Sequence, residues 1–148
     1  MQEDASLVLH GSCFLARGVN LTIGKNAILE IGNKFIANAQ CIVSVAKSIT
    51  IGDECLLGWK VTLIDGDGHK IIDENGKVIN YPNEIFIGNH VWLASNVTIL
   101  KKTYIPDNCV VAANSCVSNK FSEEKCIIGG VPAKVIKKNI MWSHDGFK

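Results

Sequence analysis

Proline is scarce, with 3 residues in 148, and aromatic residues make up only 7% of the chain. With 13 glycines, 47% hydrophobic and 20% charged residues, the low proline content argues against a disordered or fibrous chain, and the length fits one compact domain, 1–148. No run approaches the roughly 20 apolar residues that span a bilayer. The opening MQEDASLVLHG carries acids where a secretory signal carries base. The expectation is a cytoplasmic protein with no membrane partner. Six cysteines (Cys13, Cys41, Cys55, Cys109, Cys116, Cys126) include no CxxC pair and no histidine at zinc-ligand spacing. They read as small buried hydrophobes in a reducing compartment, with no metal expected. A formal net charge of +1 gives no reason to expect nucleic acid as a partner. From Leu100 onward, however, eight lysines stand against four acids. That half fits either a phosphate-rich ligand or a solvated face.

What the chain does have is a period. Aliphatic residues fall every six positions at Ile87, Leu93, Ile99, Ile105, Val111 and Val117, and four residues after most of them stands a small or aliphatic side chain (Val91, Val97, Thr103, Cys109, Ser115). The same beat runs through Ile51, Leu57 and Leu63, through Ile31, Ala37, Val43 and Ile49 in another frame, and through Ile23 and Leu29. The frames slip by two residues at each join, which reads as turn insertions. A six-residue beat describes neither an amphipathic helix nor an array of hairpins. It suits a short strand and a turn, with three such units making a triangular coil of 18 residues, so that Ile87 stacks under Ile105 and Leu93 under Val111. Gly24, Gly32, Gly52, Gly58 and Gly88 each follow an aliphatic and suit turns where a side chain costs space or strain. An antiparallel sandwich with evenly spaced strands is the competing reading, and six consecutive beats without a slip speak against it.

The units IGKNAI, IGDECL, LGWKVT, IGNHVW, LASNVT, IPDNCV and VAANSC resemble the hexapeptide repeat of the left-handed β-helix acyltransferases, over residues 20–138. Within that superfamily, DGDGHKIID followed by IFIGNHVWLASNVTIL and IIGGVPAKVIK is similar to the capsular and O-antigen sugar O-acetyltransferases and their galactoside, maltose and xenobiotic relatives. The resemblance implies an all-β, left-handed parallel β-helix, a triangular prism of hexapeptide-repeat coils. In that frame 1–20 is an N-terminal cap, 65–84 an active-site loop and 129–148 a C-terminal extension that caps a coil or folds over the cofactor.

Between Leu63 and Ile87 the repeat is interrupted by a polar stretch with three glycines and a proline, which reads as a loop leaving the prism. It carries His69 between Asp67 and Asp73. Acyl transfer from a thioester to a hydroxyl needs a base near neutrality, and histidine titrates there. By itself a lone loop histidine reads first as a solvated side chain. The resemblance assigns His69 as the general base, with Asp65, Asp67, Asp73 or a backbone carbonyl holding its other ring nitrogen. His90, in the returning block, reads as a turn residue.

The resemblance further implies that Trp92 lies beside the base, against the alternative of packing on the prism wall. Backbone N–H groups on the coil edge beyond Trp92 are the natural oxyanion donors. Acetyl-CoA is the implied acyl donor, its pantetheine arm passing Ser95, Ala113 and Ser118. Lys120 and Lys134 would stand near the phosphates, with Lys102 and Lys137 as further cations. Ser118-Asn119 replaces the family's usual Thr-Lys and Lys120 comes one place late, while Gly129-Gly130-Val131 replaces small-Gly-Asn before Pro-Ala-Lys. The implied acceptor is a small carbohydrate and the implied assembly a homotrimer with sites at its interfaces. Three other functions fit parts of the pattern. One is an N-acetyltransferase on an amino sugar, another a γ-type carbonic anhydrase needing three histidines, and the third a scaffold without catalysis.

Overall fold

The computed structural model describes residues 1–147, in which every regular element is a strand and no helix is long and apolar enough to cross a membrane. The strands come in threes. The first coil is β1 (Ser6–Leu9), β2 (Cys13–Leu15) and β3 (Asn20–Ile23), and the second is β4 (Ile28–Ile31), β5 (Phe35–Ala37) and β6 (Ile42–Val45). The third holds β7 (Ser48–Ile51), β8 (Leu56–Leu57) and β9 (Thr62–Ile64). The fourth holds β10 (Ile85–Ile87), β11 (Trp92–Leu93) and β12 (Thr98–Leu100). The fifth is β13 (Tyr104–Ile105), β14 (Val110–Val111) and β15 (Cys116–Val117), before β16 (Ile127–Gly130) and β17 (Ala133–Lys137) close the chain.

Each strand up to β16 pairs in parallel with the strand one coil away, so three sheets form the sides of a prism. Sheet A is β1-β4-β7-β10-β13, sheet B is β2-β5-β8-β11-β14-β16-β17, and sheet C is β3-β6-β9-β12-β15. The register matches the sequence beat: Ile87 pairs with Ile105, Leu93 with Val111 and Ile99 with Val117. All six residues of that row are buried. A fully buried aliphatic side chain contributes roughly 1.5–3 kcal/mol, which makes these inward columns the main stabilising term.

Two details of the repeat differ from expectation. The frame slips are longer strands rather than turn insertions: Leu29 and Ile31 both point inward from β4, as do Ile49 and Ile51 from β7. A strand alternates sides with period two, so two added residues keep the inward face. The glycines, in turn, are there for space. Positive φ falls two residues later, at His90 (52°) rather than Gly88, and again at Asn96, Lys102, Asn108 and Asn114. A Cβ on Gly88 would lie 2.8 Å from the Asp107 nitrogen, inside the turn above.

Those turns are tied vertically along the A/B edge. Asp107 accepts the Asn89 N–H (2.7 Å), Asn89 Oδ1 that of Asp53 (2.8 Å), and Asp53 that of Asn33 (2.7 Å). The stretch before residue 20, expected as a cap outside the repeat, is itself the first coil, pairing Leu7 with Leu29 and Leu9 with Ile31. Its 22-residue spacing to the second coil, Ser6 opposite Ile28, hides it from an 18-residue beat.

At the other end β17 runs antiparallel to β16, and the tail then descends the A/B edge. Ile140 N–H bonds the Lys125 carbonyl, the Trp142 ring stacks on His90 with centroids 4.1 Å apart, and His144 Nε2 lies 3.1 Å from the Glu54 carbonyl. The C-terminal extension therefore includes a strand and then a strap along one edge.

Cys41, Cys55, Cys109 and Cys126 are buried and Cys13 and Cys116 are half-buried, all as free thiols. Desolvation pushes Cys55 and Cys126 up to about 12, leaving essentially no thiolate at pH 8. Iodoacetamide at pH 8 should therefore label no cysteine other than Cys13 and Cys116 in the folded protein, and all six in urea, read by mass spectrometry. Native labelling of Cys55 would contradict this packing.

Candidate active site

The 20 residues between β9 and β10 leave the prism at the C/A edge, between the turn of Ala46-Lys47 below and that of Lys101-Lys102 above. Their root is Asp65. Its carboxylate is fully buried and accepts three backbone N–H groups, those of Ala46 (2.5 Å), Lys47 (2.8 Å) and Ser48 (2.7 Å). The Asp65 carbonyl accepts from Asn83, so both ends of the excursion are pinned at one point. Beyond it the chain forms a small hairpin, with Ile72 bridging Val78 and the Asp73 carboxylate closing the tip on the N–H groups of Asn75 and Lys77.

His69 stands exposed on this excursion and lines a cleft of about 230 Å³ with Lys70, Val78, Asn80 and Tyr81. None of the three carboxylates expected as its holder touches its ring. Asp65 is consumed by the loop root and Asp73 by the hairpin tip. Asp67 binds Lys101 Nζ (2.5 Å) and Asn80 Nδ2 (2.8 Å), which together hold its carboxyl below the usual carboxylate range. The three aspartates of the loop are thus spent on its own shape, and His69 stays exposed.

The remaining expected residues divide among different sides of the prism. Ser118 and Lys120 lie where the chain leaves β15 for the C/A edge, with Lys120 bridging Tyr104 on sheet A. Lys102 is on that edge too, so this group shares the side of His69. Ser95 and Ala113 occupy successive turns of the B/C edge, joined by the Asn114 N–H to the Ser95 carbonyl at 3.1 Å. Trp92 projects from β11 on sheet B, 37% exposed, and Lys134 lies on β17 at the top of the same sheet. The C/A edge is the one opposite sheet B in a three-sided prism. Within one chain, therefore, Trp92 is not beside His69, which corrects the expectation for a single subunit.

Two further readings change in detail. Of the N–H groups on the edge beyond Trp92, those of Ala94 and Asn96 bond the carbonyls of Val111 (2.9 Å) and Trp59 (2.9 Å), while that of Ser95 between them has no hydrogen-bond partner among the described residues and stays available as an oxyanion donor. His90 is more than a turn residue, since Trp142 covers it and donates Nε1–H to its carbonyl at 2.8 Å. His90 on the A/B edge and His69 on the C/A edge do not converge within the chain. Sequence reasoning missed Asn80, Lys101 and Trp142. Asn80 stands outside the hexads that supply the inward columns, Lys101 occupies an outward turn position of the hexad begun by Ile99, and Trp142 has no period around it.

Over 143 residues the chain is 35% identical to the galactoside O-acetyltransferase of Escherichia coli K12, covering 86% of this chain and 68% of that protein. The chain belongs to the hexapeptide-repeat acetyltransferase family. This hexapeptide-repeat protein is also 37% identical over 145 residues to a polysialic acid O-acetyltransferase of Neisseria meningitidis. That match covers 96% of this chain and 61% of its relative, and a polysialic acid O-acetyltransferase of E. coli O1:K1 is spanned over 42% of its length. The crystal structure of a galactoside acetyltransferase in complex with coenzyme A superposes with a TM-score of 0.72 at 29% identity, over 88% of this chain and 64% of that one. No protein-family model matches the hexapeptide-repeat chain.

The Asp65 root sets a stability test. Asp65→Asn leaves one oxygen where three N–H groups need acceptors and points an NH2 at them, costing about 1–3 kcal/mol of unfolding free energy by the penalty for unpaired buried donors. Urea denaturation measures it, and an unchanged midpoint would show that the root is not held this way.

Proposed function

We propose that this chain is an acetyl-CoA-dependent O-acetyltransferase that acetylates a hydroxyl of a sugar or glycan, with His69 as general base and a homotrimer as the working unit. The observation that carries the reading is His69 itself, exposed over a cleft on an excursion whose three aspartates are committed to fixing the loop. Family membership supports the acyl chemistry. The complex of a related acetyltransferase with coenzyme A supports the donor.

In the reaction the acceptor hydroxyl oxygen attacks the thioester carbonyl carbon as His69 takes its proton. The tetrahedral intermediate collapses with loss of the CoA sulfur, and the imidazolium returns the proton to the leaving thiolate. Small side chains at Ser95 and Ala113 let an extended pantetheine approach the B/C edge, and the exposed Lys120, Lys134 and Lys137 supply cations for the phosphates. Since Trp92 and Ser95 lie on sides of the prism away from His69, a complete site draws the base from one copy and the tryptophan from another. Three copies around an axis make three such sites.

The first test follows CoA release from acetyl-CoA with a sialic acid polymer, a simple galactoside and an amino sugar as acceptors. Turnover that His69→Ala lowers by about 10²–10⁴-fold, the range for a lost general base, with acetyl-CoA binding retained, supports the reading. Full activity in His69→Ala refutes the base, and turnover confined to the amino sugar would make this an N-acetyltransferase. The shared site has its own test, by co-expression of two inactive variants. His69→Ala with Trp92→Ala should recover about a quarter of wild-type turnover, because random mixing pairs an intact His69 with a neighbour's intact Trp92 at one interface in four. No recovery would place both residues' roles within one chain.

A further inference from the structure

Resting on the reading of His69 as base, we infer that Asn80 is the positioning residue that holds His69 in its working orientation. The side chain of His69 makes no hydrogen bond among the described residues, so the direction of its Cα–Cβ bond is set by the backbone alone. That backbone is flanked by Gly68, at φ 77°, and is intrinsically loose. One amide restrains it from both sides. Asn80 Nδ2 donates to the His69 carbonyl (2.8 Å) and to Asp67 Oδ2 (2.8 Å), while Asn80 Oδ1 accepts the Ile71 N–H (2.7 Å). A backbone N–H cannot accept, so the oxygen of the amide must face Ile71, and the NH2 is left for the two acceptors.

The restraint is anchored to the rigid part of the molecule. Lys101, in the turn of the coil above, donates Nζ–H to the same Asp67 oxygen (2.5 Å) and to the Asn80 carbonyl (3.2 Å). The side chain of Lys101 is 20% exposed, against 40% for Asp67, so the cation is largely packed under the loop. His69 itself and the residues two places to either side of it, 67 and 71, are thereby fixed to one side chain, and Lys101 ties Asn80 and Asp67 to the prism. Asp67 is held below the usual carboxylate range by Lys101 and Asn80, so it stays ionised throughout the interval where an imidazole titrates. The clamp does not loosen as the base gains its proton. Asn80 touches no reacting atom in this account, and acts through the placement of His69.

The test is a double-mutant cycle of Asn80→Ala and His69→Ala, with acetyl-CoA and either a sialic acid polymer or a galactoside as acceptor. Asn80→Ala should lower kcat by about 10–100-fold, the range for a misplacement of about 1 Å, with KM for acetyl-CoA within about two-fold of wild type. In the His69→Ala background it should cause no further loss, because a positioning group has nothing left to position. Asn80→Asp keeps the acceptor for Ile71 but loses both donors, and should fall at least as far as alanine. Wild-type kcat in Asn80→Ala overturns the inference. So does an additive loss on top of His69→Ala, or a fall in kcat matched by a fall in melting temperature and acetyl-CoA affinity, since each describes a merely structural residue. If His69→Ala retains activity, or wild type turns over neither acceptor, the reading of the base fails first and takes the inference with it.

Discussion

Everything in this molecule depends on stacking like residues over like. Each coil places an aliphatic side chain at the same three inward positions as the coil beneath, and parallel pairing repeats the match on all three sheets. Cooperation between the two is mutual. Hydrogen bonds between coils fix the spacing, and the buried columns make that spacing the only one that excludes water from the axis. The Asn and Asp side chains of the A/B edge extend the same logic to the corners, where each carbonyl or carboxylate oxygen caps an N–H of the coil next to it.

A frame of this kind tolerates an excursion without loosening. The 20 residues that leave at the C/A edge interrupt no sheet, because β9 and β10 keep their places in sheets C and A on either side. What fixes the excursion is a short chain of polar contacts from buried to exposed. Asp65 binds the turn below, Lys101 reaches down from the turn above, and Asp67 and Asn80 carry that hold to the residues around His69. Burial decreases along this series. The structural carboxylate is sealed, the clamp is half-covered, and the imidazole is open to ligand.

The repeat was legible because its signal is periodic and each beat is a physical requirement of the interior. The excursion was legible for the converse reason, as the place where the beat stops. The first coil escaped notice because its 22-residue length breaks the count, although Leu7, Leu9 and Leu15 lie on the same face as their buried partners and stay exposed at the open end of the prism. His69 could be singled out by residue type, but not what surrounds it. Three aspartates at similar separations offered equal claims, and only the folded loop shows that all three are spent elsewhere. The separation of Trp92 from His69 is a property of the triangle: residues 23 apart in sequence lie on a face and its opposite corner, and no spacing rule for one strand or helix contains that fact.

The reversal at β17 carries a consequence for the molecule as a material. A stack of parallel strands is in principle open to growth, since its last coil presents the same template that its first coil met, and a second molecule added there would extend the columns. Here the last strand of sheet B runs the other way and bears Lys134, Lys137 and, just beyond it, Lys138. An incoming coil would meet the wrong strand direction, a mismatched hydrogen-bond pattern and a row of like charge. By turning its final strand around, the chain closes sheet B against extension at this end, so that the widest side of the prism offers no parallel template to a further coil.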